Sequence, residues 1–125
     1  MSHFTTIQTQ VRDLDALRSA LGELGVTLLE KTSARGYAGN QLKGDYVIRL
    51  KGPYDVALNQ TSDGAYGLTT DWWNGHVEHE LGANFGRLLQ LYGVHKTIIE
   101  SRKRGRLVRR QAQKDGSIKL TIGGA

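Results

Sequence analysis

The chain has 125 residues, a mass of 13.8 kDa and a formal net charge of +5, with 38% hydrophobic and 23% charged residues; this is one domain of ordinary globular composition, large enough to bury a core without staples. It contains no cysteine, which excludes disulfides, thiolate catalysis and cysteine-held metals. No run approaches the roughly 18 apolar residues of a membrane helix, and the opening MSHFTTIQTQ lacks the basic and apolar stretches of a signal peptide, so a cytoplasmic or equivalent setting is expected.

Residues 4–11 are rich in β-branched side chains and predict an opening strand. Asp13 then precedes Leu14, Leu17, Leu21 and Leu24, whose spacings of three and four line one face of a helix, with Asp13 as N-cap and Gly25 as stop. Residues 26–32 predict a second strand. The polar, glycine-containing stretch 33–44 predicts a loop with an exposed arginine and tyrosine, Arg35 and Tyr37, offered to a ligand or partner. Residues 45–51 alternate as a strand, Gly52-Pro53 marks a turn, and residues 54–60 and 65–70 form a hairpin about Ser62-Asp63-Gly64. Asp71-Trp72-Trp73-Asn74-Gly75 breaks the pattern. A helix is expected from Val77 to Arg104, continuous or interrupted at Gly93, with apolar positions that include Leu81, Phe85, Leu88, Ile98 and Ile99. Gly105 ends it. A last hairpin pairs residues 107–112 with 117–122 across a turn containing Asp115-Gly116.

The order β-α-β-β-β-β-α-β-β predicts an α+β domain: a mostly antiparallel sheet with two main helices packed on it, a ferredoxin-like core with added hairpins. A single domain spans 1–125, and its charge is uneven. Residues 1–101 carry nine basic and eleven acidic side chains, whereas residues 102–125 carry eight basic and one acidic, so the C-terminal segment is strongly basic.

Three groups of residues stand out as candidates for chemistry or contact. Arg102, Lys103, Arg104, Arg106, Arg109 and Arg110 fill six of nine consecutive positions and suit an acidic protein surface or phosphates. No aromatic residue follows Tyr92, so the run has no stacking platform of its own; part of it also complements a helix C-terminus. Trp72 and Trp73, adjacent in an extended segment, point to opposite sides: one is suited to the core and the other to a partner. His76 and His79 sit three apart on a helix face and are weak metal candidates, since no third ligand is marked and the spacing is not that of a zinc protease. No nucleophile elbow, phosphate loop or paired carboxylates appear, so no catalytic residue and no cofactor is expected.

The strings MSHFTTIQTQVRDLDALRSALGELG, DYVIRLKGPYDVALNQTSDGAYGLTTDWW and DGSIKLTI, covering most of the chain, resemble the hypothetical chloroplast open reading frame 35 family of cyanobacteria and red-lineage plastids, a domain of unknown function. The resemblance implies a small soluble protein of a phototroph, in the cytoplasm or plastid stroma, and supplies no catalytic residues. The expectation drawn from these observations is a non-enzymatic accessory protein that docks on a protein complex with an acidic surface, using Trp72 or Trp73 and the run Arg102–Arg110. The alternatives are an RNA or ribosome contact through the same run, and a metal protein or enzyme built round His76, His79 and the loop at Arg35.

Overall fold

The computed structural model describes residues 3–124. The elements are β1 (Phe4–Gln8), α1 (Leu14–Leu24), β2 (Thr27–Arg35), β3 (Gln41–Arg49), β4 (Val56–Gln60), β5 (Tyr66–Asp71), α2 (His76–Leu81), α3 (Gly86–Lys103), β6 (Leu107–Ala112) and β7 (Ile118–Gly123). Helix α1 starts and stops where its residues dictate. Asp13 Oδ1 accepts the Ala16 N–H at 3.1 Å, satisfying a first-turn amide, and Gly25 closes the helix at φ 74°.

The sheet order is β1-β5-β4-β3-β2, with every neighbouring pair antiparallel. The edge strands β1 and β2 therefore run parallel and are joined by α1. Three strands lie between them, and the second helical segment leaves the sheet to enter the separate β6–β7 hairpin. Helices cover one face. Leu17 and Leu21 of α1 and Phe85, Leu88 and Leu91 from the second helical segment meet Leu28, Ile48, Val56, Leu58 and Leu68 of the sheet in one cluster. Each such leucine contributes about 1.5–3 kcal/mol by leaving water.

The stretch 33–44 is not a loop. Strand β2 continues to Arg35, β3 begins at Gln41, and the connection between them contains a single 3-10 turn at Tyr37–Gly39. The polar composition belongs to the tip of a long hairpin that bends. Leu28 and Ile48 pair on the helix side, but Ala34 is buried with Val47 and Ala57 on the other face, with Leu42 against them. The change of face falls between Tyr46 and Gly44, opposite Lys31 at φ 48°. Gly44 is required there, because a Cβ would stand 2.5 Å from the Tyr46 carbonyl oxygen and 3.1 Å from Ala57 Cβ. The arm folds over the helix-free face and carries Arg35 and Tyr37 to the end of the sheet where β4 begins and β5 finishes.

The helix expected over 77–104 is broken, at Gly82 rather than Gly93. Gly82 has φ 86° and ψ 163°, a conformation open in practice only to glycine, and a Cβ on it would lie 2.6 Å from the Arg87 nitrogen. Asn84 and Phe85 follow at φ 53° and 63°. A phenylalanine held left-handed costs about 1–2 kcal/mol, and full burial of its ring offsets this. Helix α3 passes through Gly93 without interruption because nothing lies near that position to bend it. Ile98 and Ile99, expected as core positions, are only half-buried, since this part of α3 faces the β6–β7 hairpin rather than the sheet.

Candidate functional site

Two surfaces, at opposite ends of α3, gather the residues that the sequence singles out. The first is built at the end of β5. Asp71 is buried, and its Oδ1 accepts the Trp73 N–H at 3.0 Å while its Oδ2 accepts the Tyr37 N–H at 3.1 Å. One carboxylate thereby forms the turn and ties the hairpin arm to it. Trp72 turns inward onto Phe85, with ring centroids 4.7 Å apart, and is partly buried. Trp73 turns outward, 43% exposed, and meets the 40% exposed Tyr37 at 5.0 Å. The His76 ring lies 6.5 Å from Trp73 and edge-on to Tyr54 at 5.2 Å. Burial, with the nearby negative charge of Asp71, raises the Tyr54 phenol above its ordinary value.

Arg35 ends β2 and is half-exposed, but its guanidinium is engaged. Nε and Nη2 donate to the two oxygens of fully buried Asp55, each at 2.8 Å, and Nη2 also donates to the carbonyls of Leu50 and Gly52. Arg49 Nε lies 3.3 Å from the same carboxylate, out of hydrogen-bond alignment. Burial pushes the Asp55 carboxyl up, yet the Arg35 bonds and the N–H groups of Arg35 and Leu50 outweigh it and hold the group below its ordinary value. Arg35, read as a loop contact, serves to clasp the arm to the sheet, leaving Tyr37 as the exposed residue of the pair.

Beside the aromatic group lies an open cleft of about 790 Å³. His76, His79 and Glu80 of α2 line it, with Lys51 from the β3–β4 turn and Arg87 from α3. Glu80 accepts the N–H groups of Lys51 and Gly52 at 2.8 and 2.9 Å, locking the β3–β4 turn onto α2. Arg87 Nη1 donates to the carbonyls of His79 and Glu80 at 3.0 and 3.3 Å. The Lys51 side chain makes no ion pair among the described residues, and its Nζ lies near Gly25 at the negative end of α1. Among the described residues no three His, Asp or Glu side chains come together as metal ligands. Lys51, Glu80 and Arg87 carried no signal in the sequence, because they come from three elements that only folding brings together.

The second surface holds the basic run. Arg102 and Lys103 end α3, Arg104 and Arg106 flank Gly105, and Arg109 and Arg110 lie on β6. The hairpin folds back along α3: Gln90 Nε2 donates to the Gly116 carbonyl at 3.0 Å, and Ile118 packs on the main core. Pairing sets Val108, Arg110 and Ala112 opposite Ile122, Leu120 and Ile118 on one face, with Leu107, Arg109, Gln111, Lys119 and Thr121 on the other. Arg110 faces inward and forks onto Glu23 of α1 at 2.8 and 2.7 Å, where His95 also reaches Glu23 at 2.8 Å. The Arg110 bonds, with His95 adding to them, bring the Glu23 carboxyl down from 4.5 to about 2. Lys103 lies 3.7 Å from Glu100. Arg102, Arg104, Arg106 and Arg109 are exposed and form no ion pair among the described residues, and 76% exposed Leu107 sits in their midst. Residues 87 and 102 are about 22 Å apart along α3, so Trp73 and the arginines do not form one surface.

A small α+β domain with an arginine-rich hairpin at one end of α3 and, at the other, a polar cleft beside an exposed aromatic pair is thus defined. Residues 20–121 match the family described as protein of unknown function (DUF1257), and the chain belongs to that family. It is 32% identical over 124 residues to uncharacterized protein ycf35 of Pyropia yezoensis, covering 98% of this chain and 96% of that protein. With uncharacterized protein ycf35 of Guillardia theta it shares 26% identity over 137 residues, again 98% and 96% of the two chains. No solved structure matches. Among the described residues no helix is long and apolar enough to cross a membrane.

Proposed function

We propose that this protein is a non-enzymatic accessory factor of a phototroph, in the cytoplasm or plastid stroma, that docks on a protein complex through the end of α3 and the outer face of the β6–β7 hairpin. The observation that carries the reading is the set of four exposed arginines with no ion pair among the described residues, Arg102, Arg104, Arg106 and Arg109, round exposed Leu107. Fixed positive charge with an apolar centre suits an acidic protein surface, which supplies both the counter-charge and a contact for the leucine. A nucleic-acid contact uses the same charges but gains from stacking, and the exposed aromatic residues Tyr37 and Trp73 belong to the other end of α3. Trp72 and Trp73 therefore drop out of the docking surface. Arg110 drops out of it as well, because it holds the hairpin in place.

The test is purification of the tagged chain from its host at low salt, beside a variant with Arg104, Arg106 and Arg109 changed to Ser, followed by direct binding of the recovered partner. A defined protein complex retained by the native chain, lost by the variant and released as salt rises supports the reading, since screening shortens the reach of charge to about 3 Å at 1 M. Recovery of RNA or ribosomal particles with a steep salt slope overturns it in favour of nucleic-acid contact. Equal recovery with both forms removes the arginines from any role in docking.

A further inference from the structure

The docking reading makes no use of the cleft at the α2–α3 corner. We propose that this cleft binds a small aromatic anion, with the acidic group held between Lys51 and Arg87 and the ring reaching past His76 to the neighbouring Trp73–Tyr37 pair. Its volume of about 790 Å³ lies within the range of small-molecule sites.

Three features point to an anion. The cleft presents two cations with capacity to spare: Lys51 Nζ has no hydrogen bond among the described residues, and Arg87 uses only Nη1, leaving the rest of its fork without a partner among them. The acidic group in the wall, Glu80, is already engaged, since both its oxygens accept backbone N–H groups. The same bonds pin the backbone of the turn that carries Lys51, which fixes where the stem of that side chain starts. His76 and His79 add ring nitrogens that donate to an anion when protonated. A planar guanidinium and an ammonium lining one cleft fit a phosphate or a carboxylate.

The aromatic half of the ligand follows from Trp73 and Tyr37. Exposing two large rings in contact is a cost that folding alone gives no reason to bear, and both are held in position by the single buried carboxylate of Asp71. His76 spans the distance from Trp73 to the cleft. An exposed indole next to His76, which lines a cationic cleft, suits a planar ring joined to an acidic group, and stacking of this kind is tolerant of ring identity.

The test is a titration of the full chain followed by two-dimensional nitrogen–proton NMR. The probes are AMP for a phosphate-bearing ring and 4-hydroxybenzoate for a carboxylate-bearing one, with adenosine and inorganic phosphate as the separate halves. Saturable shifts are expected at the Trp73 indole N–H and the Gly52 and Gly75 amides for AMP or for 4-hydroxybenzoate, which decides between the two acidic groups. Each half of AMP should bind at least about tenfold more weakly than the whole. Lys51→Gln and Trp73→Ala alter exposed side chains and should keep the native spectrum while weakening binding about fivefold or more. The Ser variant of Arg104, Arg106 and Arg109 should bind as the native chain does. No saturable shift with either anion overturns the proposal. So do shifts that survive Lys51→Gln, or binding that the hairpin variant abolishes.

Discussion

Asp55 shows how one residue decides the position of a whole arm. It lies just before β4, has no exposed surface, and joins the end of β2 to the β3–β4 turn through Arg35 and the Leu50 N–H. An ionised carboxylate at such a depth is tolerated only because every lone pair has a donor. Asp55→Ala leaves Arg35 facing a cavity and is expected to cost about 3 kcal/mol in urea unfolding, at the low end for a broken buried pair because Arg35 keeps access to water. The pH dependence has a definite sign. The folded-state pKa is depressed, so this contribution is complete above the unfolded value near 3.9 and is lost as pH falls through the folded one. The native chain should lose stability over that acid range more steeply than Asp55→Ala, and parallel slopes would remove the ion pair from the account.

At the scale of elements, the break between α2 and α3 determines that a cleft exists at all. If the helix ran straight from Val77, Arg87 would not fold back onto the carbonyls of His79 and Glu80. Gly82 permits the corner through a backbone conformation that side chains forbid, whereas Gly93 is an ordinary helical position with open space where its Cβ would stand. Opposite outcomes follow for the same substitution. Gly93→Ala should raise stability by up to about 1 kcal/mol by helix propensity. Gly82→Ala should lower it by about 2 kcal/mol or more, through strain and the clash with the Arg87 backbone. Thermal unfolding of the two variants distinguishes this arrangement from one in which the helix bends at Gly93.

In the molecule as a whole, the β6–β7 hairpin is the part held by the fewest contacts. A two-stranded hairpin is marginal alone, and this one rests on Ile118, the Gln90 bond and the Arg110–Glu23 fork. Glu23 has its carboxyl lowered to about 2, so the fork is complete above pH 4.5 and disappears as pH falls towards 2. Hydrogen-exchange protection in β6 and β7 should therefore fall over that window while protection in α1 and β4 persists, and Glu23→Gln should reproduce the loss near neutrality. Protection lost in all elements together would mean that the hairpin is no separate unit. The arrangement also separates the two proposed surfaces: the docking charges lie at the end of α3 and on the hairpin, and the cleft lies where α2 meets α3.

Local chemistry written in adjacent residues was legible without the fold. Asp13 and Gly25 bound α1, Asp115-Gly116 turns the last hairpin, and the arginine run announces its own charge, because caps, tight turns and net charge depend on neighbours in sequence. Trp72 and Trp73 do face opposite ways, but not by strand alternation: β5 ends at Asp71, Trp72 has φ −85° and ψ 7°, and Trp73 opens a 3-10 turn. Tertiary structure alone decided the rest. Residues 33–44 have the composition of a loop, but 33–35 and 41–44 become strands because Ala34 and Leu42 find Val47 and Ala57 on the open face of the sheet, and only 36–40 connect them. The same fold spends Arg35 on Asp55 and Arg110 on Glu23 while Arg109 has no ion pair among the described residues, and it assembles Lys51, Glu80 and Arg87 into one cleft. Whether a charged side chain is paired or available depends on groups dozens of residues away, and only the packed sheet and crossed helices bring those groups within hydrogen-bond range.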